Sequence, residues 1–285
     1  NLGMNQAAAQ GLSFGKEIIF TFGPYASIYT KSYHPFTDFM MLGGSLYLAL
    51  SYWGCCVFLM KGTQWRWVLA FCVVLAGFMS SRDALLFSLP FVVGLLTSKI
   101  LISEEAGVME SKWGPVYVAL LFAPFGLLPL IKGSIFALCG PVAILCCVLF
   151  LIHKCRHLAI ICLLSPIVSL LFFWHISGQS LENLPSYFIN MAPIISGYTE
   201  AMASRGNITE VIFYLLASAF LLVAILIKKS IPITSKIFIF SLYSLFLFLS
   251  FKAGFVRHDG HALISGTSIL IAAFLLPFIV NAWVI

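Results

Sequence analysis

Five residues that can carry charge are crowded into the short stretch 252–261, which separates two strongly apolar segments. They are Lys252, Arg257, His258, Asp259 and His261. Arg offers paired N–H donors to phosphate, and Lys supplies a flexible cation. A carboxylate such as Asp259 can hold an imidazole, accept a hydroxyl proton or bind a metal ion. The stretch predicts a site for an anionic ligand; its alternative interpretation is a turn whose charges face water.

A second charged pair, Arg82 and Asp83, stands at a tight connection between two apolar segments. One interpretation is structural, since Asp83 suits the positive end of a helix and Arg82 can reach lipid headgroups. The other is an acid and a base exposed at the rim of a cavity. The candidate catalytic residues are therefore Asp259 and Asp83. The candidate substrate contacts are Arg257, Lys252, His258, His261 and Arg82.

Residues 14–39 are dense in aromatic side chains, and Gly23–Pro24 predicts a turn within them. Tyr and Phe are common where a membrane meets water, so an aromatic belt is one interpretation. The other is a re-entrant segment that cradles a lipid-borne or sugar ligand, with Tyr25 as a further candidate substrate contact.

The composition indicates a membrane protein. Hydrophobic residues make up 61% of the 285 residues and charged residues 9%, against about 25% charged residues in soluble domains. The net charge of +6 indicates basic cytoplasmic loops and lipid headgroups rather than nucleic acid. The sequence carries no recognisable motif for ATP, dinucleotides, zinc peptidase chemistry or a serine nucleophile. We predict no metal ligands, although a divalent cation as cofactor stays open.

The apolar segments predict an all-α polytopic transmembrane protein with about seven to nine spans, as a single domain over residues 1–285. They are Phe39–Met60, Trp67–Met79, Ala84–Leu101, Val116–Leu130, Ile135–Ile152, Leu158–Trp174, Val211–Ile227, Ile237–Phe251 and Ala262–Val280. Trp67–Met79 is short for a span, so a re-entrant or interfacial piece is an alternative. Segment 1–38 and the long loop 175–208 are predicted to form short interfacial helices on the outer face.

The distribution of Lys and Arg favours one orientation of these spans. With segment 1–38 outside and all segments crossing, the compact basic loops 153–157 and 228–236 both fall inside, as the positive-inside rule expects. The outer face then collects segment 1–38, Arg82 with Asp83, loop 175–208 and stretch 252–261. Four separate parts of the chain are thus predicted to converge on one membrane face.

Residues 11–25, GLSFGKEIIFTFGPY, resemble a segment of the C-type superfamily of polytopic membrane glycosyltransferases. Bacterial members often show an early amphipathic helix, a Gly after it, and an extended stretch that ends in an aromatic–Gly–Pro turn. This chain has Gln6–Gln10, Gly11 and Phe22–Gly23–Pro24 in that order. The resemblance by motif covers about 40 residues, and the architecture of the remainder is similar.

The resemblance implies transfer of a sugar from a polyprenyl-phosphate donor to a glycan, lipid or protein acceptor, on the periplasmic face of a bacterial inner membrane. It also implies an acidic catalytic residue in the loop before the amphipathic helix. That position precedes Asn1, and we expect further residues upstream. Arg257, Lys252 and Arg82 are the candidates for donor phosphate binding, on chemical grounds. The alternatives are an O-antigen polymerase or ligase-like enzyme, and a transporter or flippase of lipid-linked or small anionic substrates.

Overall fold

Long apolar runs with charges only near their ends form helices in this protein, because a backbone inside a bilayer must satisfy its own N–H and C=O groups. The computed structural model describes residues 2–77, 81–102 and 111–280. Within this part of the chain, eight helical segments are long and apolar enough to cross a membrane. The protein is therefore an integral membrane protein, and the predicted all-α polytopic fold is confirmed.

The described helices follow the predicted segments closely. They are α1 (Leu2–Ala9), α2 (Ala26–Thr30), α3 (Asp38–Met60), α4 (Trp65–Gly77), α5 (Arg82–Ile102), α6 (Gly114–Phe122), α7 (Pro124–Ile131), α8 (Phe136–Ile152), α9 (Arg156–Ile176), α10 (Leu184–Met202), α11 (Ile208–Ile227), α12 (Ile233–Phe255) and α13 (Ala262–Val280). Helices α6 and α7 together form one candidate span, Gly114–Ile131. The predicted helix end at Met79 lies outside the described residues.

Helices α3 and α5 run in the same direction across the bundle. At one end, Lys99 Nζ of α5 donates to the carbonyl of Leu59 in α3 at 2.6 Å. At the other end, the Tyr29 hydroxyl, shortly before α3, donates to Asp83 at the start of α5. The chain must therefore return across the bundle between the two helices. The short helix α4, which runs between them, belongs to this return.

The span formed by α6 and α7 is broken at Pro124, which lacks the N–H that a continuous helix would use. Helix α9 supplies hydroxyl donors at the break: Ser165 donates to the Ala119 carbonyl, and Ser169 donates to the Ala123 carbonyl. Gly126 allows close contact, since a Cβ there would lie 2.4 Å from the backbone N of Leu170. The break is therefore stabilised by close packing of α7 against α9.

Helix α5 is the central helix of the bundle. Of its most apolar window, 83% is buried, a larger share than in any other described candidate span. Phe91 stacks on Phe246 of α12 with ring centroids 4.3 Å apart, and its edge meets Tyr243 at 4.8 Å. Because α5 contacts α3, α8, α12 and α13, its first residues lie where several chain connections meet.

The N-terminal segment lies against the turn between α7 and α8. The Gly23 N–H donates to the Ile131 carbonyl, and the Gly133 N–H donates to the Thr21 carbonyl. Only Gly fits at position 23, because a Cβ would lie 2.3 Å from the Leu130 carbonyl oxygen. The aromatic part of the N-terminal segment is therefore held against the ends of the spans.

Residues 177–207 and the turn after α12 lie on this same side of the bundle. The Phe14 N–H donates to Gln179 Oε1 at 2.9 Å, and the Ser204 N–H donates to the Val256 carbonyl at 3.2 Å. We call this side of the bundle the site face. It carries residues 2–37, 81–83, 131–135, 177–207 and 256–261. The predicted convergence of four parts of the chain on one face is thus present in the fold.

Candidate functional site

A cavity of about 770 Å³ opens within the site face, a volume in the usual range for ligand pockets. Its wall is built from the N-terminal segment, the start of α5, the turn between α7 and α8, helix α10, the end of α12, the turn after it and the start of α13. The polar lining consists of Thr21, Tyr29, Lys132, Ser134, Tyr198, Lys252, Arg257 and His261. The apolar lining includes Phe87, Leu249 and Ile264. The cavity therefore combines cationic groups with an apolar surface.

One part of the wall is supported by the Asp83 cluster, defined as Asp83, Tyr29 and Lys132. Asp83 is buried in the first turn of α5, where its charge suits the positive helix end. Its two oxygens accept from Lys132 Nζ at 2.6 Å and from the Tyr29 hydroxyl at 2.7 Å. Burial, followed by the charge of Asp83, raises the pKa of Tyr29 well above its usual range.

The ammonium of Lys132 is further stabilised by aromatic rings. Its Nζ lies 5.1 Å from the ring centroid of Tyr29 and 5.8 Å from that of Phe22, within reach of a cation–π interaction. Arg82 donates to the Tyr29 carbonyl at 2.6 Å. The cluster thus connects three parts of the chain and presents Lys132 and Tyr29 to the cavity.

Another part of the wall is supported by the Asp259 cluster, defined as Asp259, Arg257 and His261. Arg257 Nε donates to Asp259 Oδ2 at 2.8 Å, and His261 Nδ1 lies 2.5 Å from Asp259 Oδ1. The hydrogen bond from His261, followed by that from Arg257, holds the pKa of Asp259 well below its usual range. Asp259 is therefore a carboxylate at neutral pH and accepts from both side chains.

Tyr198 of α10 joins the two clusters. It lies near enough to Arg257 to contribute, after Asp259, to raising the pKa of that guanidinium. It also lies near enough to Tyr29 to raise the pKa of the Tyr29 hydroxyl. Helix α10, predicted only as an interfacial piece of a long loop, thus forms a wall of the cavity beside both clusters.

The residues singled out from the sequence fall into two groups in the structure. Lys252, Arg257 and His261 line the cavity, and Asp83 and Asp259 each contact a lining residue. Arg82, His258 and Tyr25 lie outside the lining. The His258 ring packs against Phe255, and its Nε2 lies 2.9 Å from Glu210 Oε2. The buried Tyr25 hydroxyl donates to the Phe173 carbonyl. The side chains of His258 and Tyr25 therefore both make structural contacts within the protein.

Sequence reasoning did not single out Lys132, Tyr29 or Tyr198 as site residues. A signal for Lys132 was present, since a lone cation in the tight turn 131–133 matches the acid Asp83 in the first turn of α5. The pairing depends on which turns are neighbours in space. No local pattern supplies that information.

No group of three or more His, Cys, Asp or Glu side chains suited to a metal ion occurs in the part of the chain that the structure describes. Comparison of the chain with protein-family models, curated proteins and solved structures finds no match in any of the three. The cavity and its lining residues are therefore the features that indicate a function.

Proposed function

We propose that this protein is a membrane glycosyltransferase that moves a sugar from a polyprenyl-phosphate donor to an acceptor at the site face. One observation carries the proposal: a single cavity at the end of the bundle combines three cationic side chains with an apolar wall. A donor with an anionic phosphate and a long hydrocarbon chain matches both features. A small soluble anion would leave the apolar wall without a partner.

The groups that suit the donor lie at the end of α12, in the turn after it and at the start of α13. Lys252 and Arg257 follow the apolar lining residue Leu249 along the chain, and Ile264 lies just beyond them. We assign the phosphate to Lys252 and Arg257, and the first part of the hydrocarbon chain to the apolar lining. Arg257 is oriented by Asp259, which leaves it prepared for paired N–H donation to phosphate oxygens.

The reaction exchanges one bond at the anomeric carbon of the donor sugar. The acceptor hydroxyl oxygen forms a bond to this carbon, and the bond from the carbon to the phosphate oxygen breaks. The bonding electrons leave with the phosphate, whose negative charge increases. Cations fixed beside the phosphate stabilise that charge more in the transition state than in the ground state. Lys252 and Arg257 would have this role.

The acceptor proton needs a base, and His261 is placed to supply one. Because the Asp259 carboxylate can only accept, neutral His261 carries its hydrogen on Nδ1 and keeps a lone pair on Nε2. The His261 side chain lines the same cavity as Arg257. We therefore assign the proton to His261 Nε2, and positioning roles to Asp259 and Asp83. This assignment differs from the acidic base that the resemblance implies.

The position of the charges favours an enzyme over a transporter. In the described spans, the charged side chains of α3, α5, α9, α11 and α12 lie near the helix ends, whereas transporters place substrate sites near mid-membrane. The basic turns 153–157 and 228–236 lie on the face opposite the site face. By the positive-inside rule, this supports a site face on the non-cytoplasmic side of the membrane, which is the periplasmic side if the membrane is a bacterial inner membrane.

A donor-consumption assay tests the proposed function. The full chain in nanodiscs is mixed with undecaprenyl-phosphate-linked hexoses, pentoses and amino sugars, one at a time, plus envelope lipids and glycans as acceptors. Mass spectrometry follows the release of undecaprenyl phosphate. We expect release with at least one donor, and Arg257→Ala to slow it about 100-fold or more.

The matched control is Arg205→Ala, which removes the same charge from an exposed position on the site face outside the cavity. We expect it to release undecaprenyl phosphate at close to the wild-type rate. If none of the donors releases undecaprenyl phosphate, or if Arg257→Ala and Arg205→Ala release it at equal rates, the proposal is wrong.

A further inference from the structure

Phe20, Phe22 and the turn between α7 and α8 form a part of the cavity wall that the phosphate site does not use. Phe20 is 47% exposed and lines the cavity. Its ring lies 5.8 Å from that of Phe22, which lies 5.0 Å from that of Tyr29, measured between centroids. The three rings therefore form a row along this wall.

Hydroxyl groups and a cation lie on the same part of the wall as these rings. The side chains of Thr21 and Ser134 line the cavity, and both are half-buried. Within the described residues, neither hydroxyl has a hydrogen-bond partner from a protein side chain or backbone. Lys132 Nζ completes the set, held in place by Asp83.

This combination suits a carbohydrate ring better than a hydrocarbon chain. The face of an aromatic ring is electron-rich and attracts partially positive hydrogens, such as the C–H groups on one face of a sugar. The sugar hydroxyls can then pair with Thr21, Ser134 and Lys132. A polyprenyl chain in this place would cover those polar groups without pairing them, which is costly.

We propose that Phe20, Phe22, Thr21, Ser134 and Lys132 form a binding subsite for a carbohydrate ring. That the ring takes part in transfer rests on the proposed function, whereas the binding itself does not. The ring can come from two sources, the acceptor glycan or the sugar of the donor. The polyprenyl phosphate itself binds elsewhere in the cavity, at Lys252 and Arg257.

The test measures binding rather than turnover, on the full chain in detergent-free nanodiscs. In the first arm, saturation-transfer NMR uses methyl α-glucopyranoside, methyl α-mannopyranoside, N-acetylglucosamine and arabinose. In the second, the affinities for undecaprenyl-phosphate glucose and for undecaprenyl phosphate are compared. Phe20→Ala is the test variant. Phe36→Ala is the matched control, because Phe36 is 58% exposed on the same segment and lies outside the cavity.

If the bound ring comes from the acceptor, we expect saccharide signals that Phe20→Ala weakens about fivefold and that Phe36→Ala leaves unchanged. If the ring is the donor sugar, we expect undecaprenyl-phosphate glucose to bind more tightly than undecaprenyl phosphate, and Phe20→Ala to remove this difference in affinity. The subsite is overturned if neither pattern occurs, or if both variants behave alike.

Undecaprenyl phosphate alone reports separately on the phosphate site. If it binds in an Arg257-dependent manner while the two carbohydrate arms fail, the subsite is wrong and the phosphate site of the proposed function remains. If saccharides bind in a Phe20-dependent manner and undecaprenyl phosphate does not bind, the subsite stands and the proposed function fails.

Discussion

At the scale of single residues, the two carboxylates near the cavity position other side chains. Asp259 accepts from Arg257 and His261, and Asp83 accepts from Lys132 and Tyr29. A carboxylate with both oxygens in hydrogen bonds is a poor direct base but orients its donors well. His261 is the group that this arrangement leaves with an open lone pair toward the cavity.

The rate of sugar transfer by variants of the Asp259 cluster tests this division of roles. His261→Asn removes the base, so we expect the rate to fall about 100-fold or more. Asp259→Asn can donate to Nδ1 and favours the tautomer with hydrogen on Nε2, so it should give a similar loss.

His175→Asn is the control, since His175 is exposed at the site-face end of α9. Its rate of sugar transfer should match that of the wild type. A His261→Asn variant that keeps the wild-type rate would show that another residue is the base.

The pKa of Asp259 also has a consequence for stability. Because this pKa is lowered in the folded protein, the contribution of the carboxylate is present above its unfolded pKa. The contribution is lost as the pH falls through the lower, folded value. The Asp259 cluster therefore persists through mildly acidic conditions.

At the scale of elements, the Asp83 cluster ties the start of α5 to the turn after α7 and to α2. Asp83→Asn leaves the half-buried Lys132 ammonium without its carboxylate, so we expect a loss of about 1–3 kcal/mol. Lys132→Met should cost a similar amount, and the double variant less than the sum of the two. Unfolding in mixed micelles measures the three values.

Glu182→Gln is the control for these variants, because Glu182 is exposed on the site face and its amide should change stability little. Strictly additive losses would show that Asp83 and Lys132 do not act as a pair.

The bounds of the helices could be predicted from local sequence. The contacts between side chains of different helices could not. The predicted segment Phe39–Met60 is α3 to within one residue, because an uninterrupted apolar run is a local property. The pairing of Asp83 with Lys132 spans 49 positions along the chain. It arises only when the start of α5 and the end of α7 lie next to each other, and the periodicity of neither helix specifies this.

At the scale of the whole molecule, the bundle brings distant polar residues to one end while keeping its interior apolar. The 252–261 stretch and the Arg82–Asp83 turn were recognisable from sequence, because charges are rare in such a chain. The position of α10 in the cavity wall could not be recognised from the sequence, since an amphipathic helix at a membrane surface can face lipid or protein. The packing of the complete bundle determines which side of α10 faces Tyr29 and Arg257.

A cryo-EM structure of the full chain with saturating undecaprenyl phosphate would show whether this cavity holds a polyprenyl phosphate. We predict phosphate density beside Arg257 and Lys252, with hydrocarbon density along the apolar lining near Leu249 and Ile264. Phosphate density only on the opposite face of the bundle, or no density in the cavity at a saturating concentration, would contradict this prediction.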